Sequence, residues 1–287
     1  MKLDFIITGA PKSGTTLYDE AIRGSGVAKL PREKETNFFS SYAISPKNGW
    51  TIRDRDKYIA LFGPSTLDNS TLHGEVCPSY FYFSKEVISH CKETGAHLFI
   101  CLRNPLSRAI SHYFMDRDRF GFDLPPPGEV LSGNRNIGYG AWGTNLDSIH
   151  DLSDYDRFLR DFASSGLDAT LLFYEDGPAD NIAKISKKLG AEIKYNEGIV
   201  NGQRALRNRS LRFLQRSAIA KSIYARLGRE RRGSISNILY KTAPQSSYKV
   251  LAKQLYAQHS ALQPWANRIS AYEEMRLLHG VNSPVVR

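Results

Sequence analysis

The sequence predicts an α/β fold: a central parallel sheet flanked by helices, with a P-loop-like phosphate loop and a helical C-terminal portion. Three observations carry this. Short apolar runs of strand length recur at Phe5-Ile6-Ile7, at 97–102 (HLFICL) and at 169–176 (ATLLFYED). Each passes through polar residues into a segment of helical periodicity, the order of strand–helix units in a parallel sheet. The first unit joins strand to helix through GAPKSGTT, after which Leu17, Tyr18, Ala21 and Ile22 fall at helical spacing.

Taken in order, Phe5-Ile6-Ile7 is too short for a helix and rich in β-branched residues, so it reads as a buried strand. The charged stretch around Pro31 is a loop, or a short strand ending in one, with Phe38 and Phe39 as apolar anchors. Residues 49–63 read as an amphipathic helix packing Tyr58, Leu61 and Phe62. GEVCPSYFYF breaks at Pro78 and leads to a helix over 84–94. The strand 97–102 runs through Arg103 and Pro105 into a helix carrying Leu106, Ile110, Tyr113 and Phe114. From Gly121, three consecutive prolines and five glycines mark a long loop, the length at which loops serve as lids or binding loops. Residues 151–166 form an N-capped helix with Tyr155, Phe158, Leu159 and Phe162 on one face, and 181–190 a helix closed by Gly190. Residues 204–232 hold ten basic residues and one acidic one and read as one or two basic amphipathic helices. A last helical segment spans roughly 247–278. No repeat, low-complexity tract or linker divides the chain. One domain over 1–287 is expected, with a core to about 200 and a basic helical portion beyond.

At 287 residues, with 41% hydrophobic and 24% charged residues, the composition is that of an ordinary globular protein. No run approaches the length of a membrane span, and the first strand starts too early to leave room for a signal peptide. Three cysteines without a Cys-x-x-Cys pair suggest reduced thiols and a cytoplasmic location. His90, Cys91, His97 and Cys101 fit no zinc spacing and are read as structural, so no metal is expected. The net charge of +10 is uneven: residues 201–287 carry 16 basic and 3 acidic side chains, against 23 and 26 before them. Such asymmetry points to an anionic partner.

The loop GAPKSGTT is an anion site by construction. A strand, a glycine-rich turn and a helix N-terminus aim backbone N–H groups and the positive end of a helix dipole at one spot. Tested against G-x-x-x-x-G-K-[ST], Gly9, Gly14 and Thr16 fit, but Thr15 stands where the lysine belongs, and the lysine is earlier, at Lys12. The loop therefore suits a single 5′-phosphate group rather than ATP or GTP, held by Lys12, Ser13, Gly14, Thr15 and Thr16. A second anion pair follows the strand 97–102. Arg103 offers a planar fork of donors and Ser111 a hydroxyl, eight residues on. The third strand ends in Tyr174-Glu175-Asp176, and Glu35 lies in the charged stretch KETNFFS.

These strings together resemble one family. P-K-S-G-T-T is similar to the 5′-phosphosulfate loop of sulfotransferases that use 3′-phosphoadenosine 5′-phosphosulfate (PAPS). R-N-P-x-x-R-x-x-S-x-Y resembles their 3′-phosphate motif, and F-Y-E-D a stretch whose Tyr lines the adenine pocket. KETNFFS followed by NGW and YIALFG, and then GEVCPSYF, resemble the heparan sulfate and related carbohydrate sulfotransferases. The resemblance spans about residues 4–190. It implies PAPS as donor, the 3′,5′-bisphosphate PAP as product, no metal, and a hydroxyl-bearing acceptor, a carbohydrate or glycolipid. It implies Glu35 as catalytic base and Lys12 as the group that stabilises the leaving oxygen. Arg103 and Ser111 would hold the 3′ phosphate, Tyr174 the adenine, and a basic C-terminal loop, through Arg204 or Arg207, would add contacts to the 3′ phosphate. Two positions depart from the pattern: Asn37 replaces a His, and Val76 a Lys. Cytosolic members use a His as base, for which His73 is the nearest rival.

Two other classes compete. A small-molecule or nucleotide kinase with a deviant P-loop would need ATP and Mg²⁺, and the missing lysine at position 15 argues against it. A basic binding protein would act through 204–232. No nucleic-acid motif supports that partner, but peripheral membrane contact through this segment is compatible with catalysis on a lipid-linked acceptor.

Overall fold

The computed structural model describes residues 3–40, 55–63, 71–119, 125–132, 149–195, 204–206, 240–242 and 245–280. Five strands, β1 (Phe5–Thr8), β2 (Ala28–Lys29), β3 (Leu72–Cys77), β4 (His97–Leu102) and β5 (Ala169–Phe173), form one sheet in the order β2-β3-β1-β4-β5. Every pairing in it is parallel, with Phe5 opposite both Gly74 and His97. The chain moves from β1 outward to β2, returns to β3, then crosses to β4. The C-terminal end of β1 is therefore the switch point at which such sheets open a crevice.

The sheet is buried on both faces, which is why β1 and β4 read as apolar runs rather than as an alternation. On one face Phe5, Ile7, Phe99 and Cys101 pack against Tyr18 and Ile22 of α1 (Thr15–Ser25) and Ile182 and Ile185 of a later helix, Pro178–Leu189. On the other, Ile6, Leu98, Ile100 and Leu102 share a cluster with Tyr58 of α2 (Arg55–Ala60) and Val87 and Cys91 of α3 (Ser84–Thr94). A third cluster joins α4 (Pro105–Phe114) and α5 (Pro127–Leu131) to a C-terminal helix pair. The remaining helices are α6 (Tyr155–Ser164), α7 (Pro178–Leu189), α8 (Gln245–His259) and α9 (Gln263–His279). Phe158 and Phe162 of α6 lie on the α3 side of the sheet, as their spacing predicts. Gly190 closes α7 in a left-handed conformation, as expected.

Several expectations need correction. The strand β3 was legible only as a break at Pro78, because it carries His73, Gly74 and Glu75 in a buried row. Gly74 is required there: a Cβ would stand 2.1 Å from Cζ of Phe5, so the Phe5 ring occupies the place of a side chain. Inside the proline- and glycine-rich stretch, Pro127–Leu131 is a helix whose Val130 and Leu131 are fully buried, with the indole of Trp265 donating to Leu131 O at 2.6 Å. The third strand stops at Phe173, and Tyr174–Asp176 turn in a single 3₁₀ turn. The final helical segment is two helices, parted at 260–262. In the basic segment, Arg204–Leu206 is a strand (β6), paired antiparallel with Tyr240–Thr242 (β7), rather than helix. The rest of 204–232 lies outside the described residues, as do residues 49–54 of the expected 49–63 helix.

Among the described residues no helix is long and apolar enough to cross a membrane. Cys77, Cys91 and Cys101 are free and buried, and burial holds their thiols well above the ordinary range. His97 gives the fold an acid-sensitive point. Its Nε2 pairs with Thr170 Oγ1 at 2.8 Å across β4 and β5. Burial, then Lys188, lowers its pKa from 6.5 to about 4, with Asp168 pulling the other way. The unfolded chain thus binds the proton more readily, and stability is lost as pH falls from about 6.5 to about 4. Comparing denaturant midpoints across this window, His97→Gln should flatten the loss by at most about 3 kcal/mol; an unchanged slope would remove His97 as its source.

Candidate active site

The phosphate loop leaves β1 at its C-terminal end. Backbone bonds fix its start: Gly9 N–H donates to Pro78 O at 3.1 Å, and Cys101 N–H to Gly9 O at 3.1 Å. Two residues then take the left-handed conformation, Lys12 at φ 75° and Gly14 at φ 89°. Glycine accepts this freely, whereas lysine does so at about 1–2 kcal/mol. Gly14 is the N-cap of α1 and supplies no side-chain cap, so the first-turn N–H groups of Thr15, Thr16 and Leu17 are left to an outside acceptor, apart from Leu17 N–H on Gly14 O. Ser13 is fully buried, and its Oγ has no hydrogen-bond partner among the described residues. A buried hydroxyl in that state is costly unless something else occupies the site. Lys12, Ser13 and the opening of α1 therefore fit a phosphate group.

Arg103 comes to this loop from the end of β4. Its Nη1 donates to Lys12 O at 3.2 Å, and its guanidinium carbon lies 4.3 Å from the centre of the Tyr174 ring. Its Nε is buried with no partner among the described residues. Tyr174, 44% exposed, is packed against Gly14, where an added Cβ would stand 3.2 Å from the ring. The site thus stacks loop, tyrosine and arginine, and needs glycine at 14 for reach as well as for φ. Behind them, Tyr155 donates to Arg103 O at 2.6 Å, and Asn104 caps α4 through its Oδ1 to Ser107 N–H at 3.1 Å. Glu175 accepts from Asn104 N–H at 3.0 Å and from Tyr272, while Asp176 pairs with Arg276 at 2.9 Å. These contacts pin α9 to the end of β5. Ser111 is buried at the end of the second turn of α4. One turn further, the chain widens into a π-helical stretch, Met115–Arg119, and Lys12 Nζ lies 3.5 Å from Met115 Sδ. Lys12 thus bridges the loop and the α4 face that carries Ser111.

Glu35 sits in the loop after β2, one-third exposed and ion-paired with Lys34. Its φ is 63°, and that of Asn37 is 54°. Together with Lys12 these are the non-glycine residues with positive φ among the described residues. Such conformations persist only where surroundings impose them, and they gather at functional sites. The turn sits at the C-terminal end of β3: Asn37 Oδ1 accepts from Ser79 at 2.7 Å and from Cys77 Sγ at 3.5 Å.

The predicted residues divide accordingly. Lys12, Ser13, Gly14, Thr15 and Thr16 follow one another in the loop and the start of α1, and Arg103 and Tyr174 pack against it, with Ser111 one turn from the Lys12 contact. Glu35 stands at the same end of the sheet. His73 does not join them. It lies at the start of β3, at the opposite end, 4% exposed, with its N–H on Asp4 Oδ2 at 2.8 Å. Arg204 lies in β6, and Arg207 falls outside the described residues. Among the described residues no group of three or more His, Cys, Asp or Glu is placed to hold a metal ion. Sequence reasoning passed over Glu75, Ser79 and Tyr80, for which the string GEVCPSY was the available signal, and gave Tyr58 a packing role only.

No protein-family model matches the sequence, and no curated protein does. Among solved structures, a sulfotransferase from Alicyclobacillus acidocaldarius is similar at TM-score 0.56 and 20% identity, over 79% of this chain and 94% of that one. A sulfotransferase domain from the curacin biosynthetic pathway aligns at TM-score 0.45 and 12% identity, over 91% and 98%. The first likeness is one of fold.

Proposed function

We propose that the chain is a PAPS-dependent sulfotransferase that transfers a sulfuryl group to an acceptor hydroxyl. The observation that carries the reading is the left-handed, uncapped phosphate loop with Arg103 bound to the carbonyl of Lys12. It joins two anion-binding groups on one surface, as a nucleotide phosphorylated at both 3′ and 5′ positions requires. The fold shared with a sulfotransferase supports it, and so do the sequence strings that resemble the family.

In this reading the donor supplies the sulfuryl group, already joined to a 5′ phosphate. The loop N–H groups, Ser13, Thr15 and Thr16 hold that phosphate. Glu35 takes the acceptor proton as the new O–S bond forms, and the S–O bond to phosphate breaks. The charge left on the phosphate oxygen is stabilised by Lys12, which is held in place before the reaction. Arg103 and Ser111 hold the 3′ phosphate, and Tyr174 covers the base. The acceptor is proposed to be a carbohydrate or glycolipid.

Arg103 gives the sharpest test of the donor. Charge-assisted bonds to a phosphate are worth about 1.5–3 kcal/mol, or about 10- to 150-fold in affinity. Arg103→Ala should lose affinity for PAP in that range, measured by calorimetry, and change binding of adenosine 5′-phosphate much less. Equal loss for both nucleotides would remove Arg103 from the 3′ phosphate.

A further inference from the structure

Glu75 lies on β3 opposite Ile6 and is 1% exposed. A carboxylate this deep must have its oxygens satisfied. One oxygen accepts from Thr36 and, at 3.0 Å, from Tyr80; the other accepts from Tyr58. Burial holds the carboxyl above the usual carboxylate range, and these three hydroxyls offset that only in part. All three partners are O–H donors, suited to a group that only accepts.

One of these partners, Thr36, belongs to the Glu35 turn, and a second, Tyr80, contacts it from the turn after β3. Thr36 follows Glu35 directly, and its Oγ1 also accepts from Phe38 N–H at 3.2 Å. The Tyr80 hydroxyl accepts from Phe39 N–H at 3.4 Å. On the far side, Asn37 donates from Nδ2 to the carbonyl of Glu35 at 2.9 Å, while its Oδ1 accepts from Ser79 at 2.7 Å. Glu35 is therefore held between two anchors on β3 and the turn that follows it. Both left-handed residues, Glu35 and Asn37, fall within this bracket.

We infer that Glu75 is a positioning residue. Through Thr36 and Tyr80 it fixes the left-handed turn that directs the Glu35 carboxylate toward the acceptor hydroxyl. The inference rests on Glu35 as the base. A small displacement of a reacting group can cost about 10²-fold in rate, so a turn held by buried hydrogen bonds matters to turnover even where it touches no substrate.

Two variants test it. Glu75→Gln replaces one acceptor oxygen by an NH₂ donor. Thr36→Val cuts the same link and leaves the buried carboxylate its two tyrosines, so it keeps the test open if the first variant folds poorly. Amide hydrogen exchange in the nucleotide-free protein is read first. Residues 36–39 should exchange at least about tenfold faster in both variants, residues 9–16 should be unchanged, and Thr36→Ser should restore protection. Turnover of PAPS to PAP with a panel of hydroxyl acceptors is read second. Thr36→Val should lower kcat by about 10- to 100-fold with PAP affinity within about twofold, and should add nothing in a Glu35→Gln background. Unchanged exchange at 36–39, or a full additive loss in the double variant, would overturn the inference. If the wild-type chain turns over no PAPS, the sulfotransferase reading fails on its own. The exchange result then decides separately whether Glu75 fixes the turn.

Discussion

Lys12→Ala should lower sulfuryl transfer by about 10²–10³-fold while leaving the fold intact. The magnitude is that of removing one preorganised donor from the site where charge develops. The geometry makes the substitution clean. Lys12 is already in the left-handed region at φ 75°, and alanine meets the same backbone penalty as lysine there. The change therefore removes the ammonium without altering the cost of the turn. Arg103 binds the backbone carbonyl of residue 12, so that contact survives. Conversion of PAPS to PAP under saturating donor is the quantity to measure, beside PAP affinity. A fall in kcat much larger than the fall in affinity is expected. Loss of affinity with kcat unchanged would make Lys12 a binding residue only.

Glu35→Gln should cost about 10²–10⁴-fold in the same assay, the usual worth of a positioned general base. Glutamine keeps the shape of the side chain and cannot take the proton. The Lys34 pair would be lost, but both side chains are partly exposed, and such a pair contributes little to stability. PAP affinity should stay within about twofold of the native value, since nothing assigns Glu35 a nucleotide contact. Native-like turnover in this variant would remove Glu35 as base.

Much of this was legible in the sequence. β4 and α3 stand at their expected bounds and β1 runs one residue past Ile7, because local signals decide them: short apolar runs and helical spacing. The glycine-rich loop was readable for the same reason, and Arg103 and Tyr174 through the strands that deliver them. What was missed depends on distant partners. Glu75 reads as a charged surface residue until Thr36, Tyr58 and Tyr80 are brought around it. Gly74 weakens the strand pattern until Phe5 fills its place. The prolines at 125–127 read as loop, although Pro127 is well suited to open a helix, and the burial of Leu131 against Trp265 comes from 134 residues away. The left-handed conformation of Glu35 has no local signal in the sequence, whereas Asn37, a residue type that visits that region, carries a weak one.

The most direct measurement is calorimetric titration of the native chain with PAP, beside ATP with Mg²⁺. Tight binding of PAP and weak binding of ATP is the expected result, since the proposed site has one phosphate at Lys12 and Ser13 and a second at Arg103. Tight binding of ATP with Mg²⁺ and weak binding of PAP would contradict the assignment of both sites and leave a nucleotide-dependent kinase as the reading to pursue.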